Sequence, residues 1–286
     1  MSDDELQRQE NLERILHSPS YRPAYKDVDF LDGPRLRPQR MELELLKPEL
    51  TFEQLGIRST IVVFGSTRIL EPAAAERKLE RAKARLADTP GDPRRRRAVQ
   101  RAERLLAKSH YYDVARQFAR LVTECCRAAR VGEYVIMTGG GPGIMEAANR
   151  GAYDVGGRSI GLNIRLPQEQ LPNPYVSPEL CFQFHYFAIR KFHFLLRAKA
   201  LVAFPGGFGT IDELFDALTL RQTGRMQHIP IILFGREFWE RAVDFRYLAD
   251  EGTIDDEHLD LFRYAETAEE AWEMIRRFHG DSFDRA

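Results

Sequence analysis

The sequence predicts an α/β protein built on a doubly wound parallel sheet, and three observations predict it. Five short runs at 60–64 (TIVVF), 134–137 (YVIM), 159–164 (SIGLNI), 200–204 (ALVAF) and 230–234 (PIILF) are almost continuously apolar, as strands buried on both faces of a parallel sheet are. Helical stretches near 111–130, 144–155, 185–199 and 210–223 alternate with them, which is the order of a βα-repeating fold. Three of the strand ends run directly into small-residue turns. In such sheets ligands sit outside the strands' C-terminal ends, so these turns are where a site is expected.

The elements follow in order. Residues 1–56 carry five prolines, Pro19, Pro23, Pro34, Pro38 and Pro48, and read as an irregular N-terminal arm with one short helix near 41–46. Tyr21, Tyr25 and Phe30 in this arm favour packing over disorder. The sheet-forming core is expected at 57–236, interrupted at 71–110 by a helical hairpin. Leu79, Ala82 and Leu86 recur at i, i+3 and i+7, as do Val99, Ala102 and Leu106. Between them Thr89-Pro90-Gly91-Asp92-Pro93 is a turn. From 237 to 286 an acidic helical extension is expected.

Of the 286 residues, 42 are Lys or Arg and 43 Asp or Glu, for a net charge of −1. That balance gives no global drive toward nucleic acid or an anionic membrane. It is uneven, however: residues 71–108 hold 12 basic and 6 acidic side chains, and residues 237–286 hold 6 basic and 15 acidic. The two blocks are expected to complement each other within or between subunits. Arg94–Arg97 reads as a solvated helix start, because no aromatic platform for bases is interleaved with it. No apolar run approaches the ~18 residues of a membrane span. Three cysteines, two of them adjacent, cannot build a disulfide framework, and the polar N-terminus is unlike a secretory signal, so a reducing, cytoplasmic location is expected.

The turns carry the candidate site. The first is Gly65-Ser66-Thr67-Arg68, with Ser66 and Arg68 as its polar members. The second is Gly139-Gly140-Gly141-Pro142-Gly143-Ile144-Met145, opening a helix. The third is Pro205-Gly206-Gly207-Phe208-Gly209-Thr210, opening another. Glycine lets backbone approach a ligand, and a helix N-terminus offers free N–H groups to an anion. Two such turns on one sheet edge point to a phosphate or nucleotide. Neither a dinucleotide fingerprint nor a P-loop is matched, and no His/Cys/Asp cluster has metal-ligand spacing. Thr210 and Glu213 also have the spacing of a capping box, which would account for both structurally; a carboxylate beneath a phosphate-binding turn equally admits a chemical role. Arg190 lies in a segment apolar on most sides, so its charge needs an anionic partner or ligand. His193 in that segment reads as a core histidine, Cys181 as a packing residue, and Met145 as either packing or pocket-lining.

The stretch from Pro205 to Glu213 resembles the PGGxGTxxE signature of the LONELY GUY family of nucleoside 5′-monophosphate phosphoribohydrolases. Arg190-Lys191 is similar to that family's Arg-Lys element, and the turns at 66–68 and 139–145 also resemble its own. The resemblance covers roughly 57–236 without the hairpin and is nearest the longer bacterial members. It implies a Rossmann-like fold and hydrolysis of the N-glycosidic bond of a purine nucleoside monophosphate such as AMP or an N6-substituted AMP. Glu213 and Arg190 would be the catalytic pair. Ser66, Arg68, Gly139, Gly140, Gly141, Gly143, Met145, Lys191, Gly206, Gly207, Gly209 and Thr210 would bind substrate. No cofactor and no metal are implied, and a homodimer or higher homo-oligomer is. Two departures fall on the base pocket: one residue fewer follows the triple glycine than in the short plant-type members, and Phe187-Ala188 stands where they have Met-His. The contrasting reading is a non-catalytic nucleotide or cofactor carrier on the same scaffold.

Overall fold

The computed structural model describes residues 2–129, 132–167 and 171–280, the side chains of 127–129 excepted. The last residue of the expected 111–130 helix and the end of the acidic segment, 281–286, lie outside the described residues.

All five apolar runs are strands, shifted by no more than two residues: β1 (Thr60–Phe64), β2 (Val135–Thr138), β3 (Ser159–Ile164), β5 (Ala198–Ala203) and β6 (Ile231–Phe234). Two further strands, β4 (Cys181–Phe184) and β7 (Arg263–Ala265), complete one seven-stranded sheet of order β4-β3-β2-β1-β5-β6-β7, parallel throughout. Both are edge strands of three or four residues, too short to show in a hydrophobic pattern. Cys181 accordingly begins a strand, and the acidic segment after 237 contributes an edge of the sheet.

Alternation along β1 shows why both faces need cover. Ile61 and Val63 point into one apolar core, Val62 and Phe64 into the other. Helices α6 (His110–Ala129), α7 (Ile144–Asp154) and α12 (Ala268–His279) build the first core through Phe118, Ala148 and Ile275. Helices α8 (Phe187–Leu196), α9 (Phe208–Gln222) and α10 (Arg236–Ala242), with the short α11 (Phe245–Asp250), build the second through Phe194, Leu214, Trp239 and Phe245. Each buried Phe, Leu or Ile among these gains about 1.5–3 kcal/mol from burial, and so the sheet is the rigid element on which the turns are mounted.

The inserted hairpin is present as α4 (Pro72–Ala87) and α5 (Pro93–Leu106). Asp92 caps α5 by accepting from the Arg94 and Arg95 N–H groups. Arg95 also donates to the Arg85 carbonyl across the hairpin, and Arg94, Arg96 and Arg97 are exposed, as a solvated helix start should be.

The chain divides into two compact units, Met1–Lys47 and Pro48–Ala286. The first is more helical than its prolines suggest. It contains α1 (Asp3–Leu16), opened by a Ser2/Glu5 capping box, the one-turn α2 (Val28–Leu31), and most of α3 (Arg37–Gln54). The prolines sit at turn and 3₁₀ positions or near the start of α3, where a missing N–H costs little; Pro48 alone lies in a helix interior. Contrary to the expected packing, Tyr21, Tyr25 and Phe30 are 61%, 75% and 52% exposed.

Candidate active site

Strands β1 and β5 are neighbours, yet the chain visits β2, β3 and β4 on one side before returning to β5 on the other. The crevice at this reversal is where a doubly wound sheet leaves room for a ligand. The three small-residue turns meet there and are tied together by main-chain bonds. Ser66 N–H donates to the Pro205 carbonyl at 3.1 Å, and Ile144 N–H donates to the Ser66 carbonyl at 3.1 Å. Gly143 has φ +74°, and a Cβ there would collide with the Ser66–Thr67 backbone, so only glycine permits this approach.

The 139–143 turn is braced from below by a buried polar network. Thr138 Oγ1 donates to Asn149 Oδ1 at 2.8 Å and accepts from Gly140 N–H at 2.9 Å. Asn173 Nδ2 donates to the Gly141 carbonyl at 3.0 Å and to Asn149 Oδ1 at 2.9 Å. Gly140 and Gly141 are thereby committed to the scaffold, whereas Gly139 and Met145 face the cavity.

The 206–210 turn is different. The expected Thr210/Glu213 capping box does not form, because α9 starts earlier, at Phe208, with Gly207 as its cap and no side chain bonded to the free N–H groups. Thr210 instead packs beneath Gly206, where a Cβ would strike its hydroxyl. The N-terminus of α9 is left open toward a cavity of about 620 Å³.

That cavity is lined by Ser66, Arg68, Gly139, Met145, Gly207, Gly209 and Thr210, with Arg190 and Glu213 at its wall. Arg190 is buried, donates from Nε to the Leu162 carbonyl of β3 at 2.7 Å, and stacks 4.9 Å above the Phe194 ring. Its Nη1 donates to Glu213 Oε1 at 3.2 Å. A Cβ at 139 would fall 2.5 Å from Arg190 Nη2 and 2.8 Å from Met145 Sδ, so glycine at 139 makes room for the guanidinium. Burial pushes the Glu213 carboxyl up to about 7, against the opposing pull of Arg190, and the same burial lowers Arg190. A carboxyl poised near neutrality beside a fixed cation can stabilise positive charge or accept a proton.

Lys191 is placed elsewhere: its Nζ lies 2.8 Å from Asp212 Oδ1, and it lines a neighbouring cleft. Gly206 lines a hollow behind the turn. His193 is buried, with Nδ1 3.5 Å from Glu49 Oε1. The cavity also contains residues that were not singled out from sequence: Asn163, Ile164, Leu166, Phe208 and Ile211, and it includes Phe187. Asn163 and Ile164 end β3 on the same sheet edge, so the strand-end rule that found the glycine turns would have found them too. Among the described residues one group could share an ion, Asp255, Glu257 and His258, at a surface turn that His258 itself caps. No described helix is long and apolar enough to cross a membrane.

Fold and site together define a Rossmann-like α/β protein in which glycine turns at the switch point flank a buried, ionisable Arg–Glu pair. The family model described as "Possible lysine decarboxylase" matches residues 145–275. Three rice proteins (Oryza sativa subsp. japonica) are similar. The cytokinin riboside 5′-monophosphate phosphoribohydrolase LOG is 27% identical over 167 residues, 57% of this chain and 65% of that protein. The probable phosphoribohydrolase LOGL3 is 26% identical over 156 residues, 50% and 68%, and LOGL5 is 29% identical over 99 residues, 34% and 39%. The matches thus span between two-fifths and two-thirds of these relatives' lengths. Among solved structures, a molybdenum cofactor binding protein from Rippkaea orientalis is 20% identical with a TM-score of 0.44, covering 59% of this chain and 88% of that one. Over part of its length the chain is similar to proteins of the LONELY GUY family. The decarboxylase description of the family model finds no chemistry in the cavity. Pyridoxal phosphate requires a lysine amine for its Schiff base, no lysine lines the cavity among the described residues, and Lys191 is held by Asp212.

Proposed function

We propose that this protein hydrolyses the N-glycosidic bond of a purine nucleoside 5′-monophosphate, AMP or an N6-substituted AMP, to the free base and ribose 5-phosphate. The observation that carries this reading is the buried Arg190–Glu213 pair beside the uncapped N-terminus of α9, in one cavity. The 5′-phosphate would rest on the N–H groups that open α9, with Ser66 and Arg68 closing over it. The ribose would lie against Gly139 and Met145, and the base against Leu166, Phe187 and Phe208.

Cleavage of the bond between C1′ and the base nitrogen sends the electron pair to the base, which takes a proton from solvent, and leaves oxocarbenium character on the ribose. The Glu213 carboxylate would stabilise that charge and accept the proton of the water that adds to C1′. Arg190 would hold Glu213 in place and favour its ionised form. Lys191, bound to Asp212 on the outer side of α8, would act on the assembly rather than on substrate. Phe192 and Leu196 on α8 are exposed and border an apolar cleft with Leu220 and Met226, and a second copy of the chain would cover them.

The test is product analysis over AMP, N6-substituted AMP, GMP and adenosine. The reading expects free base with equimolar ribose 5-phosphate from at least one monophosphate and none from adenosine. Saturable AMP binding without base release, at high protein concentration, would replace it with a carrier. Solution mass of the chain tests the self-association: a monomer at micromolar concentration contradicts it.

A further inference from the structure

The inserted hairpin brings positive charge to the back of the glycine turns. Arg101, Arg104 and Lys108 recur at i, i+3 and i+7, and so share one face of α5 and the turn beyond it. Leu105, on the same face, packs against the core and fixes the direction in which that stripe points. It points into a hollow of about 280 Å³ between α5 and the turns that follow β1 and β5. Arg68, on the turn after β1, lines the same hollow with Ser66 and Gly206.

Four cations thus converge on a volume of molecular size. Among the described residues none of the four has a carboxylate at ion-pair distance; of the hairpin's cations Lys83 pairs with Glu80 and Arg95 with Asp92. Like charges gathered without counter-charge repel one another. The C-terminal end of α5 favours a cation at Arg104, but that does not account for Arg68 on a separate turn. The hollow shares Ser66, Arg68 and Gly207 with the catalytic cavity, so an anion in one is felt at the wall of the other.

We infer that this hollow is a binding site for a condensed phosphate group, a di- or triphosphate chain. A single phosphate dianion would leave half of the cationic charge unmatched; a condensed phosphate matches it and hydrogen-bonds several guanidinium groups at once. Two sources share this chemistry: the terminal phosphates of a nucleoside polyphosphate whose 5′-end lies in the cavity, and a separate polyphosphate effector. The inference does not depend on hydrolysis, because binding is read without turnover.

The experiment is calorimetric titration of the full chain with inorganic tripolyphosphate at constant ionic strength. Arg101→Ala/Arg104→Ala is compared with Arg94→Ala/Arg97→Ala, which removes the same charge from the hairpin outside the hollow. The first pair is expected to weaken binding about tenfold or more, and the control pair to stay within about twofold of the unaltered protein. Absence of saturable binding to the unaltered protein, or equal losses in both pairs, overturns the site. Ribose 5-phosphate binding reports on the catalytic cavity. If the first pair loses that as well, Arg101→Lys/Arg104→Lys decides: recovered tripolyphosphate binding supports the site and unrecovered binding overturns it. Simultaneous binding of tripolyphosphate and ribose 5-phosphate identifies a separate effector; displacement of both by ADP identifies the polyphosphate tail of one nucleotide.

Discussion

Two ion pairs join the same two helices at adjacent positions. Arg190 reaches Glu213 at 3.2 Å with side chains 10% and 14% exposed, and Lys191 reaches Asp212 at 2.8 Å with side chains 25% and 60% exposed. The shorter pair is the less consequential one. Water screens Lys191–Asp212, so it contributes about 0–1 kcal/mol, and no pocket chemistry attaches to it. Arg190–Glu213 sits where desolvation rivals attraction, and the carboxyl is driven up to about 7 despite its cationic neighbour. Surroundings, more than distance, decide which of two neighbouring carboxylates can do chemistry.

Removing Arg190 should break the contrast most severely. Arg190→Met leaves Glu213 buried without its counter-charge, a loss of about 3 kcal/mol. The loss is expected to be largest at pH 8 and smaller at pH 6, where the orphaned carboxyl takes up a proton. Denaturant unfolding at the two pH values measures it, and a pH-independent loss contradicts the pairing.

Next comes the linkage of Glu213 itself. Its proton is held more tightly in the folded chain, near 7, than at the ordinary 4.5. The stability this contributes is complete below about 4.5 and is lost as pH rises through about 7, a span worth about 3 kcal/mol. Glu213→Gln does not titrate, so its stability relative to the unaltered protein should improve as pH rises from 5 through about 7 and level off above that. A flat difference across that range would show that the carboxyl is not perturbed.

A kinetic counterpart follows for the proposed reaction. If the ionised carboxylate acts, kcat/KM of the free protein rises with pH and levels off above about 7. A profile that falls through the same range would assign Glu213 the role of acid instead. The smallest effect belongs to the outer pair: Lys191→Ala should cost less than about 1 kcal/mol and leave the pH profile in place. A shifted profile in that variant would mean that the two pairs are coupled.

The sheet was legible because its central strands are buried on both faces, and continuous apolar runs as short as those of β1 and β6 suit a buried strand better than a helix. Edge strands β4 and β7 carry no such signature. α2 and α3 were hidden by prolines, all but Pro48 of which the structure places at turns and helix starts, and the sequence signals a proline's presence more clearly than its position in a turn. At the site, the turns were visible as small residues at strand ends, Arg190 as a charge in an apolar helical segment, and its partnership with Glu213 through the family resemblance. The role of Thr210 was not: a capping box and a residue packed under Gly206 look alike in sequence, and only the start of α9 at Phe208 separates them. Lys191 next to Arg190 could not be assigned a direction without the helix.

The proposed cleavage of the glycosidic bond rests on Glu213 in this cavity. It is tested most directly by base release from AMP, or from whichever monophosphate the panel selects, in Glu213→Gln beside the unaltered protein. Base release is expected to fall by about 10²- to 10⁴-fold, while ribose 5-phosphate binding stays within about threefold. Undiminished base release in that variant would contradict the account.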